Sequence, residues 1–79
     1  MNKPSVGQVV HYVSYGTPGG EYLSKCRAAI ITEVRRYPAG EPIASLAVLN
    51  PTGMFFNEDL PQNEDEQLGG TWHWPENCA

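Results

Sequence analysis

No apolar run in the 79 residues approaches the roughly 18–20 that span a bilayer. The opening MNKPSVGQ also lacks the apolar stretch of a secretion signal. The expectation is a protein that stays in the cytoplasm of the cell that makes it, away from membranes. Two cysteines, Cys26 and Cys78, are too few for a disulfide framework, and both read as free thiols. Basic residues are scarce and one-sided. Residues 1–54 hold all five (Lys3, Lys25, Arg27, Arg35, Arg36) against three acids, whereas residues 55–79 hold six acids and no base. Binding to phosphate backbones draws its affinity from clustered Lys and Arg. A net charge of −4 and a pI near 4.9 therefore argue against general nucleic-acid binding, leaving only a local contact through Arg27, Arg35 and Arg36.

Catalytic and metal signatures are missing as well. Serines and Cys26 are present, but none sits in a nucleophile elbow. The glycines of GTPGGE (16–21) lack the lysine and Ser/Thr ending of a phosphate-binding loop. His11, His73, Cys26 and Cys78 form no C-x-x-C and no H-x-x-x-H pair, and the acids lack the spacing of a calcium loop. The sequence leads us to expect no enzyme, no metal and no cofactor.

What is present is alternation. In GQVVHYVSYG (7–16), Val9, His11, Val13 and Tyr15 fall on one side, and Val10, Tyr12 and Ser14 on the other. Both sides are partly apolar, as in a strand bent around a small barrel. CRAAIITEVRRY (26–37) reads as a strand over a helix because of its Ile-Ile-Thr centre and the lack of a capping residue. Asn50-Pro51-Thr52-Gly53 carries type I turn preferences between SLAVL and MFF, which predicts a hairpin with Gly53 left-handed in a bulge. Residues 57–70, with five acids, one proline and two glycines, read as a mobile acidic loop. TWHWP (71–75) is the closing strand, stopped by Pro75, and residues 77–79 are a tail. The prediction is one all-β domain over 1–79, a small five-stranded SH3-like barrel whose closure removes exposed edges.

Trp72 and Trp74 share a face of the last strand and His73 points the other way. A chain this short has few bulky groups, so the indoles serve first as filler. The competing reading is an exposed aromatic groove for protein contact, built from Tyr12, Tyr15, Tyr22, Trp72 and His73.

The phrases HYVSYGTPGGEY, CRAAIITEV, LNPTGMFF and GTWHWPE carry a resemblance that covers the chain from about Val6 to Glu76. The chain resembles a group of short proteins encoded by actinobacteria and their phages. That resemblance implies a context, a phage or prophage accessory or virion protein, and lends no catalytic or binding residue. The resulting expectation is a non-enzymatic interaction module that meets an unidentified host or phage protein, in the host cytoplasm or on the virion. Virion decoration or connector, homo-oligomer and weak nucleic-acid binder are the alternatives.

Overall fold

The computed structural model describes residues 3–15, 25–36 and 42–75. These hold five strands and no α-helix: β1 (Val9–Val13), β2 (Cys26–Arg36), β3 (Pro42–Asn50), β4 (Gly53–Pro61) and β5 (Trp72–His73). All pair antiparallel in one sheet of order β4-β3-β2-β1-β5. The all-β reading holds, but the sheet is not closed. Among the described residues the backbone ladder between its two ends is reduced to one isolated parallel bridge, Gln62 with Trp72.

Alternation sorts the strands into two faces. Val10, Tyr12, Ala29, Ile31, Ala44, Leu46, Val48 and Trp72 form the buried core on one face, with Val34, Phe55, Leu60 and Trp74 packed against it. A flat sheet could not gather these side chains around one centre, so the sheet must curl. Two bulges provide the bend. Thr32 is the extra residue of β2, between the pairs Ile31–Leu46 and Glu33–Ser45. On β4 the extra residue falls between Asn57, opposite Leu46, and Leu60, opposite Ala44. Both irregularities meet at the buried Ser45. Its carbonyl accepts from the Thr32 hydroxyl (3.1 Å) and its Oγ accepts from the Asp59 amide (3.3 Å), so groups displaced from the ladder keep partners. Asp59 itself is left-handed (φ 55°), a conformation that Asp tolerates better than most residues.

The hairpin forms where expected, with Asn50 opposite Gly53 across Pro51-Thr52. Gly53 is not left-handed, however, since only Gly7 and Gly70 have positive φ among the described glycines. A two-residue connection leaves no extra residue to bulge there, and the twist is accommodated at Thr32 and Asp59 instead. The acidic segment also differs from expectation. Residues 57–61 belong to β4, and the connection after them is braced by its own hydrogen bonds. Asn63 Oδ1 accepts from the amides of Glu66 (2.8 Å) and Gln67 (3.2 Å), and the Thr71 hydroxyl donates to the Leu68 carbonyl (2.6 Å).

Gly70 leads the chain into β5, with its amide donating to the Val13 carbonyl at 2.8 Å. Its φ of +82° is one that L side chains rarely adopt, and a Cβ there would meet the Tyr15 ring. The ring tip can swing aside, whereas the backbone strain cannot be relieved. Gly70→Ala is expected to cost about 1–2 kcal/mol, seen as a lower urea midpoint at unchanged m-value.

Candidate functional site

Three of the five residues expected to form an aromatic groove are not at the surface. Trp72 and His73 are 0% exposed and Tyr12 is 3% exposed, so none of the three can contact a partner without unfolding. Tyr12 and Trp72 fill the core of a very short chain, as the filler reading has it for the indole. The Trp72 indole stacks edge-on against Trp74 with centroids 5.5 Å apart, and its Nε1 donates to the Leu60 carbonyl at 3.1 Å. Tyr12 stacks edge-on against Phe55, and burial, with Tyr15 nearby, pushes its phenol pKa up against an opposing Asn57 hydrogen bond. Tyr15 is exposed and lies across the Gly69–Gly70 turn. Tyr22 lies outside the described residues, as does the GTPGGE loop.

On the opposite face of β5 the chain gathers three groups whose sequence spacing gave no hint of proximity. The β1–β5 register sets His11 directly opposite His73, with the rings edge-to-face at 5.4 Å and 88°. The β1–β2 register sets Cys26, at the start of β2, opposite Val13. Its Sγ lies 3.7 Å from His73 Nε2. One donor atom from each of the three residues falls within 4.8 Å of the others. The Nδ1 atoms of both histidines are buried and have no hydrogen-bond partner. Desolvation, and then His11, lower the His73 pKa from its ordinary 6.5, while Glu64 opposes them.

Cys26 is not a free thiol but disulfide-bonded, which corrects the expectation. The one other cysteine of the chain, Cys78, lies outside the described residues. Residue spacing along the chain underrated this cluster because antiparallel pairing makes neighbours of residues 62 positions apart.

The two arginines with described side chains, Arg27 and Arg35, do not share a face. Arg27 pairs with Tyr12 on the core side of the sheet. Arg35 pairs with Ile43 on the other side, where it bridges Glu33 (3.1 Å) and Asp59 (3.6 Å). The Arg36 side chain lies outside the described residues. A depression lined among the described residues by Pro42, Gln62, Glu64 and Asp65 offers two carboxylates.

The feature that sequence reasoning passed over is the face away from the core. Val9 pairs with Ile30, Ile30 with Ala47, and Ala47 with Phe56, in one row across four strands. The next row runs Ala28, Leu49, Met54. Of these, Val9 (55%), Met54 (59%) and Phe56 (67%) are well exposed, with Ile30 and Leu49 partly so. The signal was present in the sequence: strands apolar on both sides imply two buried faces, or one face left for a partner.

No family model, curated protein or solved structure matches the chain. Among the described residues no helix is long and apolar enough to cross a membrane.

Proposed function

We propose that the chain is a non-enzymatic protein-interaction module that works through the apolar outer face of its sheet. The observation that carries this reading is the pair of adjacent rows holding Val9, Ile30, Leu49, Met54 and Phe56, a contiguous apolar patch of the kind that marks interaction sites. The curl of the sheet and the Gln62–Trp72 bridge support reading it as a half-open relative of the SH3-like barrels. The motifs quoted above support a phage or prophage setting in an actinobacterial host.

A second copy of the chain, paired through the sheet edge that borders the patch, is the partner that the geometry favours. The patch runs to β4, the outermost strand, whose Gly53–Asn57 stretch is unpaired on its outer side among the described residues. Such an edge is a template for another strand. Two copies related by a two-fold axis near Phe55 would set Met54 of each beside Phe56 of the other, with Glu58 and Asp59 beyond the paired stretch. An apolar face left exposed on the single chain also supports the second reading, a virion decoration or connector, for which mass spectrometry of purified particles is the test.

Sedimentation of the full chain over a range of concentrations is expected to show a dimer. Phe56→Asp is expected to yield a monomer whose stability changes by no more than about 0.5 kcal/mol, as for an exposed site. A wild-type chain that stays monomeric throughout would remove the second copy as occupant.

A further inference from the structure

The histidine–cysteine cluster has the donor set and spacing of a metal centre, and it stands independently of the outer-face reading. Tetrahedral zinc with bonds of about 2.0–2.3 Å places its ligand atoms about 3.3–3.6 Å apart. The Cys26 Sγ to His73 Nε2 separation of 3.7 Å already meets that spacing, and the third donor, from His11, closes the set within 4.8 Å. A buried imidazole nitrogen without a hydrogen-bond partner is costly; His11 Nδ1 is one, and coordination through it would satisfy it, whereas His73 offers the site its Nε2, the nitrogen that faces Cys26. His73 is fully buried on a paired strand, so its ring is fixed in place before any ion arrives.

We infer that the reduced chain binds one Zn²⁺ through the Cys26 thiolate and one imidazole nitrogen each of His11 and His73, and that the disulfide at Cys26 is the switch that closes this site. With Cys26 disulfide-bonded, its sulfur is not a thiolate and the set is incomplete. A dithiol opens the site by exchange: its two S–H bonds give up two electrons and two protons, the disulfide at Cys26 breaks into two thiols, and the dithiol leaves as a cyclic disulfide. Zinc then displaces the Cys26 proton to solvent, so binding strengthens as pH rises toward the thiol range. Compartments held reducing by thiols favour the metal form, and oxidising ones favour the disulfide. Cys, His and His is a donor set that suits zinc and leaves a fourth position for water or another ligand.

The test is cobalt(II) titration of the full chain, with zinc competition. After reduction by a phosphine, which becomes its oxide with water supplying the oxygen and both protons, one cobalt per chain is expected to bind. It should give the intense visible bands of tetrahedral cobalt and a near-ultraviolet thiolate charge-transfer band, both erased by zinc. The oxidised chain should bind at least tenfold more weakly. Cys26→Ser should lose the charge-transfer band, and His11→Asn, at a half-buried position, should weaken binding at least tenfold with its circular dichroism unchanged. Cys78→Ser removes the only other cysteine of the chain and should bind cobalt without any reductant. A reduced chain with no charge-transfer band, a band that survives in Cys26→Ser, or a folded Cys78→Ser chain that binds no cobalt would each overturn the site.

Discussion

Trp72→Ala is expected to leave the chain unfolded or nearly so at room temperature. Truncating a buried tryptophan costs about 3–5 kcal/mol, which is the entire net stability, roughly 3–5 kcal/mol, that a core of this size supplies. The position justifies the upper end of that range. Trp72 is 0% exposed and fills the centre of the core cluster. It is also where the two ends of the sheet meet. Its backbone forms the bridge to Gln62, its carbonyl accepts from the Asn63 amide at 2.9 Å, and its Nε1 donates to the Leu60 carbonyl. Removing the indole therefore opens a cavity and loosens the contact that holds β5 against the end of β4. Trp72→Phe separates the two effects, because it keeps most of the packing and loses the Nε1 hydrogen bond, worth about 1 kcal/mol with more for the orphaned carbonyl. Urea denaturation followed by circular dichroism should show no folded baseline for the alanine variant and a reduced midpoint for the phenylalanine one. An alanine variant with the wild-type midpoint would show that the curl is held elsewhere.

The sequence makes the strands legible because their signal is local. The Asn50–Gly53 turn, the Ile-Ile-Thr centre of β2 and the alternation of β1 each announce themselves within about ten residues. What escapes is whatever depends on two distant segments at once. Thr32 and Asp59 look ordinary in sequence, and only their common neighbour Ser45 shows why the ladder breaks at both. Glu58 and Asp59 read as loop because acidic residues disfavour strands, yet β3 pairs with Asn57 and Leu60 on either side of them and the strand runs on to Pro61. The same limitation applies to the candidate sites. The tryptophans read first as filler and Trp72 is core, whereas the competing surface reading fails at Tyr12, Trp72 and His73, since a chain this short needs its large side chains inside. The metal-type donors were dismissed on sequence spacing, although a single register pairing brings His11 and His73 together. The exposed face was visible as an excess of apolar residues on both sides of the strands. Its significance depended on whether the sheet closed, and alternation alone does not decide closure.

Acidification should destabilise the metal-free, disulfide-bonded chain through His73. The ring is buried, and desolvation followed by its neighbour His11 holds its pKa below the ordinary 6.5, with Glu64 only partly opposing them. The unfolded chain, with its imidazole in water, takes up the proton first. Between the unfolded and the folded pKa the unfolded state therefore binds more protons, and unfolding free energy falls as pH falls. Stability is complete above about 6.5, where the imidazole is neutral in both states. It declines as pH drops below that value and levels off once the folded-state ring is also protonated. Charging His73 also sets a cation against His11 across the β1–β5 pair, so the loss should concentrate at the short last strand. Urea midpoints measured from pH 8 to pH 5 with a chelator present should trace this decline. His73→Gln, which keeps a polar side chain of similar reach without a titrating ring, is expected to start less stable and to show a flatter pH profile. The protection factor of the Val13 amide, whose N–H bonds to the Thr71 carbonyl at 2.9 Å, provides a local readout and, once corrected for the slower intrinsic exchange at low pH, should fall on acidification before those of β3 do. An unchanged slope in the His73 variant would assign the acid sensitivity to the carboxylates of residues 58–66 instead.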